Sequence, residues 1–167
     1  MSGSQYEREL KRLLEGDPAQ VNRYIRINGL SGSGASALRY QIKNPFFVVR
    51  SAGSRSLDLL AVRSRLILPI EIKSTSSETV NFTDSNGRNQ RQFQQLRTLV
   101  ERSGLVLFYA LRLKSGDGEP WRFFVSREDR FWSWVPAVVL TKNGNVVLKW
   151  SDGIPLSEFL RGVRSIE

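Results

Sequence analysis

Apolar positions along the chain follow two periods. Tyr6, Leu10, Leu13 and Leu14 recur at helical spacing, so residues 6–15 read as an amphipathic helix that Gly16-Asp17-Pro18 stops. Residues 46–50, 57–62 and 66–73 are short apolar runs separated by Ser/Gly and Arg-Ser-Arg turns, and they read as three strands. Pro69 lies inside the third run, where a missing N–H implies an edge position or a bulge. Phe93, Leu96, Leu99 and Val100 predict a second helix over 89–102, capped by Gly104, with a buried-type strand over 105–113 behind it. Residues 121–125 predict another strand. Residues 138–140 and 146–149 flank Asn143-Gly144, a strong hairpin signal. Residues 154–163 predict a closing helix with Pro155 in its first turn. Helix, strands, helix and strands in this order predict a mixed α/β fold.

Two stretches break the pattern. Residues 74–87 are polar and read as a mobile loop. Residues 20–45 contain Ser31-Gly32-Ser33-Gly34 together with Arg23, Arg26, Arg39 and Lys43, and they read as a basic, linker-like arm inserted between two core elements. The expectation is one domain over 1–167 carrying a basic Gly/Ser-containing insertion at about 20–45.

Charge changes the picture. Lys and Arg number 25 against 16 Asp and Glu, a formal net charge of +9, which favours a polyanionic partner. The chain has no Cys and no His, which excludes disulfides, thiolate and imidazole metal sites, cysteine nucleophiles and Ser-His-Asp triads. Catalysis is left to Asp, Glu, Lys, Arg and hydroxyls, with a hard cation held by oxygens. No apolar core of a secretory leader follows Met1, and no run approaches the roughly 20 apolar residues of a membrane span. A soluble, intracellular protein is expected.

The informative segment is Asp58 followed by Glu71-Ile72-Lys73. Residues i and i+2 of a strand share a face, so Glu71 and Lys73 project together, and a hairpin brings Asp58 beside them. Two converging carboxylates repel each other unless a cation lies between them, and Mg²⁺ suits one or two carboxylates plus waters and a phosphate. That is a phosphodiester hydrolase site needing neither His nor Cys. The spacing alone also arises by chance in a chain with 25% charged residues. The four tryptophans suit base stacking or, more simply, core packing.

These residues, with the runs Tyr6-Glu7-Arg8-Glu9-Leu10 and Arg50-Ser51-Ala52-Gly53-Ser54 ahead of them and Trp121-Arg122-Phe123 behind, resemble the archaeal-type Holliday junction resolvases of the PD-(D/E)xK nuclease superfamily. The resemblance implies a restriction-endonuclease-like α/β fold, with a mixed central sheet flanked by helices. It implies a homodimer, Mg²⁺ dependence with Mn²⁺ as a substitute, and paired nicks on branched DNA, the four-way junction. A cytoplasmic location in an archaeal cell, or in a prokaryotic host if the source is viral, goes with it. By position, Glu7, Asp58 and Glu71 would hold the metal, Lys73 would be the catalytic lysine, and Arg50 would act at the scissile phosphate. Arg8, Arg50, Ser54 and Arg55 would contact DNA.

The chain departs from the family pattern at Leu57, where a proline is usual, in the length of 20–45, and in the Asn143-Gly144 hairpin. On the helical wheel Glu7 and Glu9 lie on opposite rims of the apolar stripe, and only the family register selects Glu7. Two rival readings stay open: a superfamily nuclease of restriction or repair type acting on linear or other branched DNA, and a non-catalytic DNA-binding module.

Overall fold

The computed structural model describes residues 3–51, 57–81 and 88–167. The first helix, α1 (Gly3–Leu14), buries Tyr6, Leu10, Leu13 and Leu14, as its spacing predicts. Each such burial is worth about 1.5–3 kcal/mol. The chain then turns at Gly16, whose φ of +68° is left-handed. A Cβ there would lie 2.0 Å from the Gln41 carbonyl oxygen, so only glycine fits.

Residues 20–45 are not a loop or an arm. They form α2 (Pro18–Ile27) and α3 (Gly32–Lys43), and both helices pack into the core. Asp17 caps α2 by accepting a hydrogen bond from the Gln20 N–H at 2.9 Å, and Pro18 opens its first turn. Val21, Tyr24 and Ile25 are buried at i, i+3 and i+4, as are Ala35 and Leu38 on α3. The Gly/Ser cluster is the N-terminus of α3, with Ser31 as its extended N-cap. Gly34 faces the closing helix, where a Cβ would meet the Ser157 side chain at an ordinary contact distance of 3.4 Å.

A six-stranded sheet runs β1 (Phe47–Arg50), β2 (Leu59–Arg63), β3 (Leu66–Thr75), β5 (Phe108–Leu113), β6 (Trp121–Val125) and β9 (Ile154–Pro155), in the order β1-β2-β3-β5-β6-β9. Only β3 and β5 pair in parallel, and this pairing begins at Ile70. Pro69 therefore sits just before β5 joins, paired on one side with Leu60, which is how a proline is tolerated in a central strand. A second sheet joins β4 (Thr79–Asn81), β8 (Val146–Lys149) and β7 (Val139–Leu140), with β7 and β8 forming the expected hairpin and Gly144 at φ +75° in its turn. The start of the segment read as a mobile loop thus extends β3 and forms β4. The rest of it, 82–87, lies outside the described residues.

The fold is a mixed α/β sheet with helices on both faces. On one face α1, α2, α3 and the closing helix α5 (Leu156–Ser165) bury Leu59, Ala61, Leu66, Leu68, Ile70 and Phe123. On the other, α4 (Arg88–Arg102) and β8 cover Tyr109, Leu111 and Phe124. The second core stops short of β1. Phe47 (73% exposed), Val49 (46%) and Ile67 (41%) remain on the outer face of β1–β2–β3. Trp121 and Trp132 are buried, and Trp132 and Trp134 join Phe108 and Phe159 in an aromatic cluster. Among the described residues no helix is long and apolar enough to cross a membrane.

Candidate active site

Antiparallel β2 and β3 are in register with Leu59 opposite Ile70. The next rank outward places Asp58, at the mouth of β2, opposite Glu71. Strand alternation sends Leu68, Ile70 and Ile72 into the first core and turns Glu71 and Lys73 to the other face. Asp58 is pinned there, because one of its oxygens accepts the Ile72 N–H at 2.7 Å.

Asp58 and Glu71 then meet, and the Glu71 carboxyl donates its proton to Asp58. Burial and the neighbouring Asp58 charge push the Glu71 pKa up to about 9. Burial raises that of Asp58 too, against the stabilising Ile72 N–H. Glu7, reaching over from α1, adds its charge to both. The three carboxylates named by the resemblance are therefore neighbours. Glu7 is also paired with Arg50, at the end of β1, whose Nε donates to Glu7 Oε2 at 2.7 Å.

The remaining candidates are placed differently. Lys73 shares the Glu71 face, and its Nζ donates to the Asn81 carbonyl at 2.8 Å. Arg8 turns back to Ser4, donating to its carbonyl at 3.2 Å and to its hydroxyl at 3.3 Å. Ser54 and Arg55 lie outside the described residues. Glu9, the other rim of the α1 stripe, is a structural anchor: Arg112 Nε contacts it at 3.1 Å and the Trp121 indole N–H at 3.1 Å. Two neighbours of the site were missed from sequence, the Asn81 carbonyl and Tyr109, which lies across from Glu71 on β5. Period-two alternation in 105–113 shows Tyr109 facing with Leu107 and Leu111, but only the strand order sets it beside Glu71.

Among the described residues no group of three or more carboxylates is gathered about one point to hold a metal ion. The Asp58–Glu71 pair still fits a hard divalent cation. Its oxygens converge, they now need a shared proton to coexist, and a cation would replace that proton.

No protein-family model matches the chain, and no curated protein matches it. Among solved structures it is similar to Hjc from Archaeoglobus fulgidus, described as a Holliday junction resolvase from an archaeal hyperthermophile. The TM-score is 0.50 at 21% identity, covering 74% of this chain and 96% of that one. The chain has the Hjc-like, restriction-endonuclease-like fold expected from its sequence.

Proposed function

We propose that residues 1–167 act as one nuclease domain, a metal-dependent endodeoxyribonuclease that nicks four-way DNA junctions as a homodimer. The observation that carries this reading is the meeting of the Asp58 and Glu71 carboxyl groups across β2 and β3, with Lys73 on the same face of an Hjc-like sheet.

Asp58 and Glu71 would hold a divalent cation, Mg²⁺ or Mn²⁺, with Glu7 the third acid beside them. Such a cation supplies Lewis-acid polarisation of a phosphoryl oxygen and a more acidic bound water. The chain's own groups do the rest. Asp58, fixed by the Ile72 N–H, keeps its carboxylate aimed at the pair without reorganisation. Lys73, released from Asn81, brings a positive charge to the phosphate as negative charge builds on it. Arg50 grips phosphate oxygens through its guanidinium fork, and Glu7 orients it. Ser54, Arg55 and Arg8 are the supporting DNA contacts of this reading.

One such site per chain makes one cut, and resolving a junction into two ligatable duplexes needs two symmetric cuts. The apolar outer face of β1–β2–β3, with Phe47, Val49 and Ile67 exposed beside the site, supports pairing with a second copy. Recognition is by shape, through phosphate contacts and not base edges.

The test is cleavage of a synthetic four-way junction with Mg²⁺, mapped on all four strands, against a linear duplex competitor. Paired nicks at symmetric positions are expected. Asp58→Ala, Glu71→Ala and Lys73→Ala should each lose nicking while still binding the junction. Cutting of the linear duplex at equal rate moves the reading to a restriction- or repair-type nuclease. Junction binding with no metal-dependent cleavage leaves a non-catalytic binding module.

A further inference from the structure

A cleft of about 530 Å³ opens between α1 and α2, away from the Asp58–Glu71 pair. Arg8, Arg12, Arg23 and Arg112 line it, and its one lining carboxylate is Glu9. Two of the four cations are balanced within the chain. Arg112 Nε lies 3.1 Å from Glu9, and Arg12 Nη2 lies 2.9 Å from Asp17, the cap of α2. The other two are not. Arg8 donates only to the neutral Ser4 carbonyl and hydroxyl, and Arg23 is exposed and forms no ion pair among the described residues.

Guanidiniums brought to one cleft without enough carboxylates are complementary to an oxyanion bearing more than one charge, or to a row of singly charged ones. Arg forks match phosphate geometry bidentately. Glu7 and Arg8 are adjacent on α1, so one turn of helix presents Glu7 to Arg50 and the carboxylate pair while Arg8 faces the cleft. Arg12 follows one turn later, roughly 6 Å along the axis. α1 therefore borders both places, the candidate site through Glu7 and the cleft through Arg8 and Arg12.

We propose that the α1–α2 cleft is a second binding site for the phosphate backbone of nucleic acid, with Arg8 and Arg23 as its open contacts. The choice of polymer rests on the nuclease reading above. The cleft anchors a stretch of backbone that is not cut. The helix once read as part of a flexible arm contributes Arg23 as half of a preformed wall.

Binding of a four-way junction is measured in EDTA, so cleavage plays no part, for the wild-type chain, Arg23→Glu and Arg23→Lys across a range of salt. Arg23→Glu should weaken binding about tenfold at moderate salt and reduce the slope of log K against log salt by about 1–2. Arg23→Lys, which keeps the charge but not the fork, should keep the wild-type salt slope and lose less affinity than Arg23→Glu. Arg23 is exposed, so thermal midpoints should agree, and amide NMR shifts provide a second view. The junction should move α1 and α2 resonances, and inorganic phosphate alone should move the same ones weakly.

Wild-type affinity and salt slope in Arg23→Glu overturn the proposal, and if inorganic phosphate still shifts those amides the cleft takes small anions and not nucleic acid. Absence of junction binding by the wild-type chain at low salt overturns it as well. Expected binding behaviour without Mg²⁺-dependent nicking sinks the nuclease reading alone and leaves the cleft as a backbone contact.

Discussion

The proton shared by Asp58 and Glu71 makes the stability of the metal-free protein fall as pH rises. Glu71 ordinarily titrates near 4.5, and in the fold burial and Asp58 raise it to about 9. Between those values the unfolded chain has lost the proton while the native state keeps it. The native state then binds more protons, and stability drops with increasing pH by at most ~1.4 kcal/mol per unit. At pH 7.5 the accumulated cost reaches a ceiling of ~4 kcal/mol, a large part of the 5–15 kcal/mol typical of a domain. Asp58, also raised, acts in the same direction.

Glu71→Gln removes the titrating group, and its amide N–H can still donate to Asp58. The variant should therefore melt several degrees higher than wild type at pH 7.5, taking ~2–4 °C per kcal/mol for a chain of this size. The two should converge near pH 4.5. Thermal unfolding followed by circular dichroism from pH 5 to 9 in EDTA measures this. Millimolar Mg²⁺, whose binding needs both carboxylates ionised, should flatten the wild-type curve and leave Glu71→Gln largely unaffected. A wild-type midpoint that stays level or rises from pH 5 to 9, or an equal slope in the variant, refutes the shared-proton geometry.

Arg50→Ala should slow single-turnover nicking by about 100-fold or more, because its guanidinium adjoins the site. Arg97→Ala, which removes a partner of Glu101 at 3.0 Å on α4, should cost less than about threefold, and equal rates would remove Arg50 from the site. Gly16→Ala should lose ~3 kcal/mol or more, seen as a fall in melting midpoint of about 10 °C, since it combines a left-handed φ with backbone overlap on Gln41. Phe47→Glu should leave the midpoint unchanged, because Phe47 is 73% exposed. It should turn a sedimenting dimer into a monomer at micromolar concentration, and an unaltered dimer would move the interface elsewhere.

What was legible in the chain follows from how local each signal is. Residues 121–125 form β6 with the predicted ends, and α4 and the β7–β8 hairpin lie within a residue of expectation. Their periodicity and turn residues sit within one short window. The sequence D-x₁₂-E-x-K was legible for the same reason: a hairpin converts sequence spacing directly into register.

The helices α2 and α3 are not legible in the sequence, because Gly and Ser near a helix start look the same as Gly and Ser in a linker. Here they form the start of α3, which packs against Ser157 of the closing helix, a long-range contact invisible to any local window. Val21, Tyr24 and Ile25 carry the helical spacing that the basic residues and the Gly/Ser cluster obscure. The strand β4 was missed because three polar-flanked residues become a strand only through β8, nearly 70 positions later.

The choice between Glu7 and Glu9 shows where local reasoning stops. Both flank the same apolar stripe of α1, and a helical wheel treats them alike. Their fates are set by what the sheet presents to each rim. On one side β5 and β6 offer Arg112 and the Trp121 indole, which satisfy Glu9 with an ion pair and a neutral hydrogen bond and hold it within the fold. On the other, β1 offers Arg50, and beyond it lie Asp58 and Glu71, whose ionisation the Glu7 charge opposes. A carboxylate satisfied on both oxygens stabilises the native state. One that holds a single guanidinium while leaning on two further acids raises the energy of its surroundings, and a cation or a phosphate-bound Arg50 relieves it. The two glutamates therefore meet different surroundings, one anchoring α1 to the sheet and the other paired with Arg50 beside two further acids. That difference is set by strand order and not by helical phase, and it supports Glu7 over Glu9 as the third acid of the proposed site.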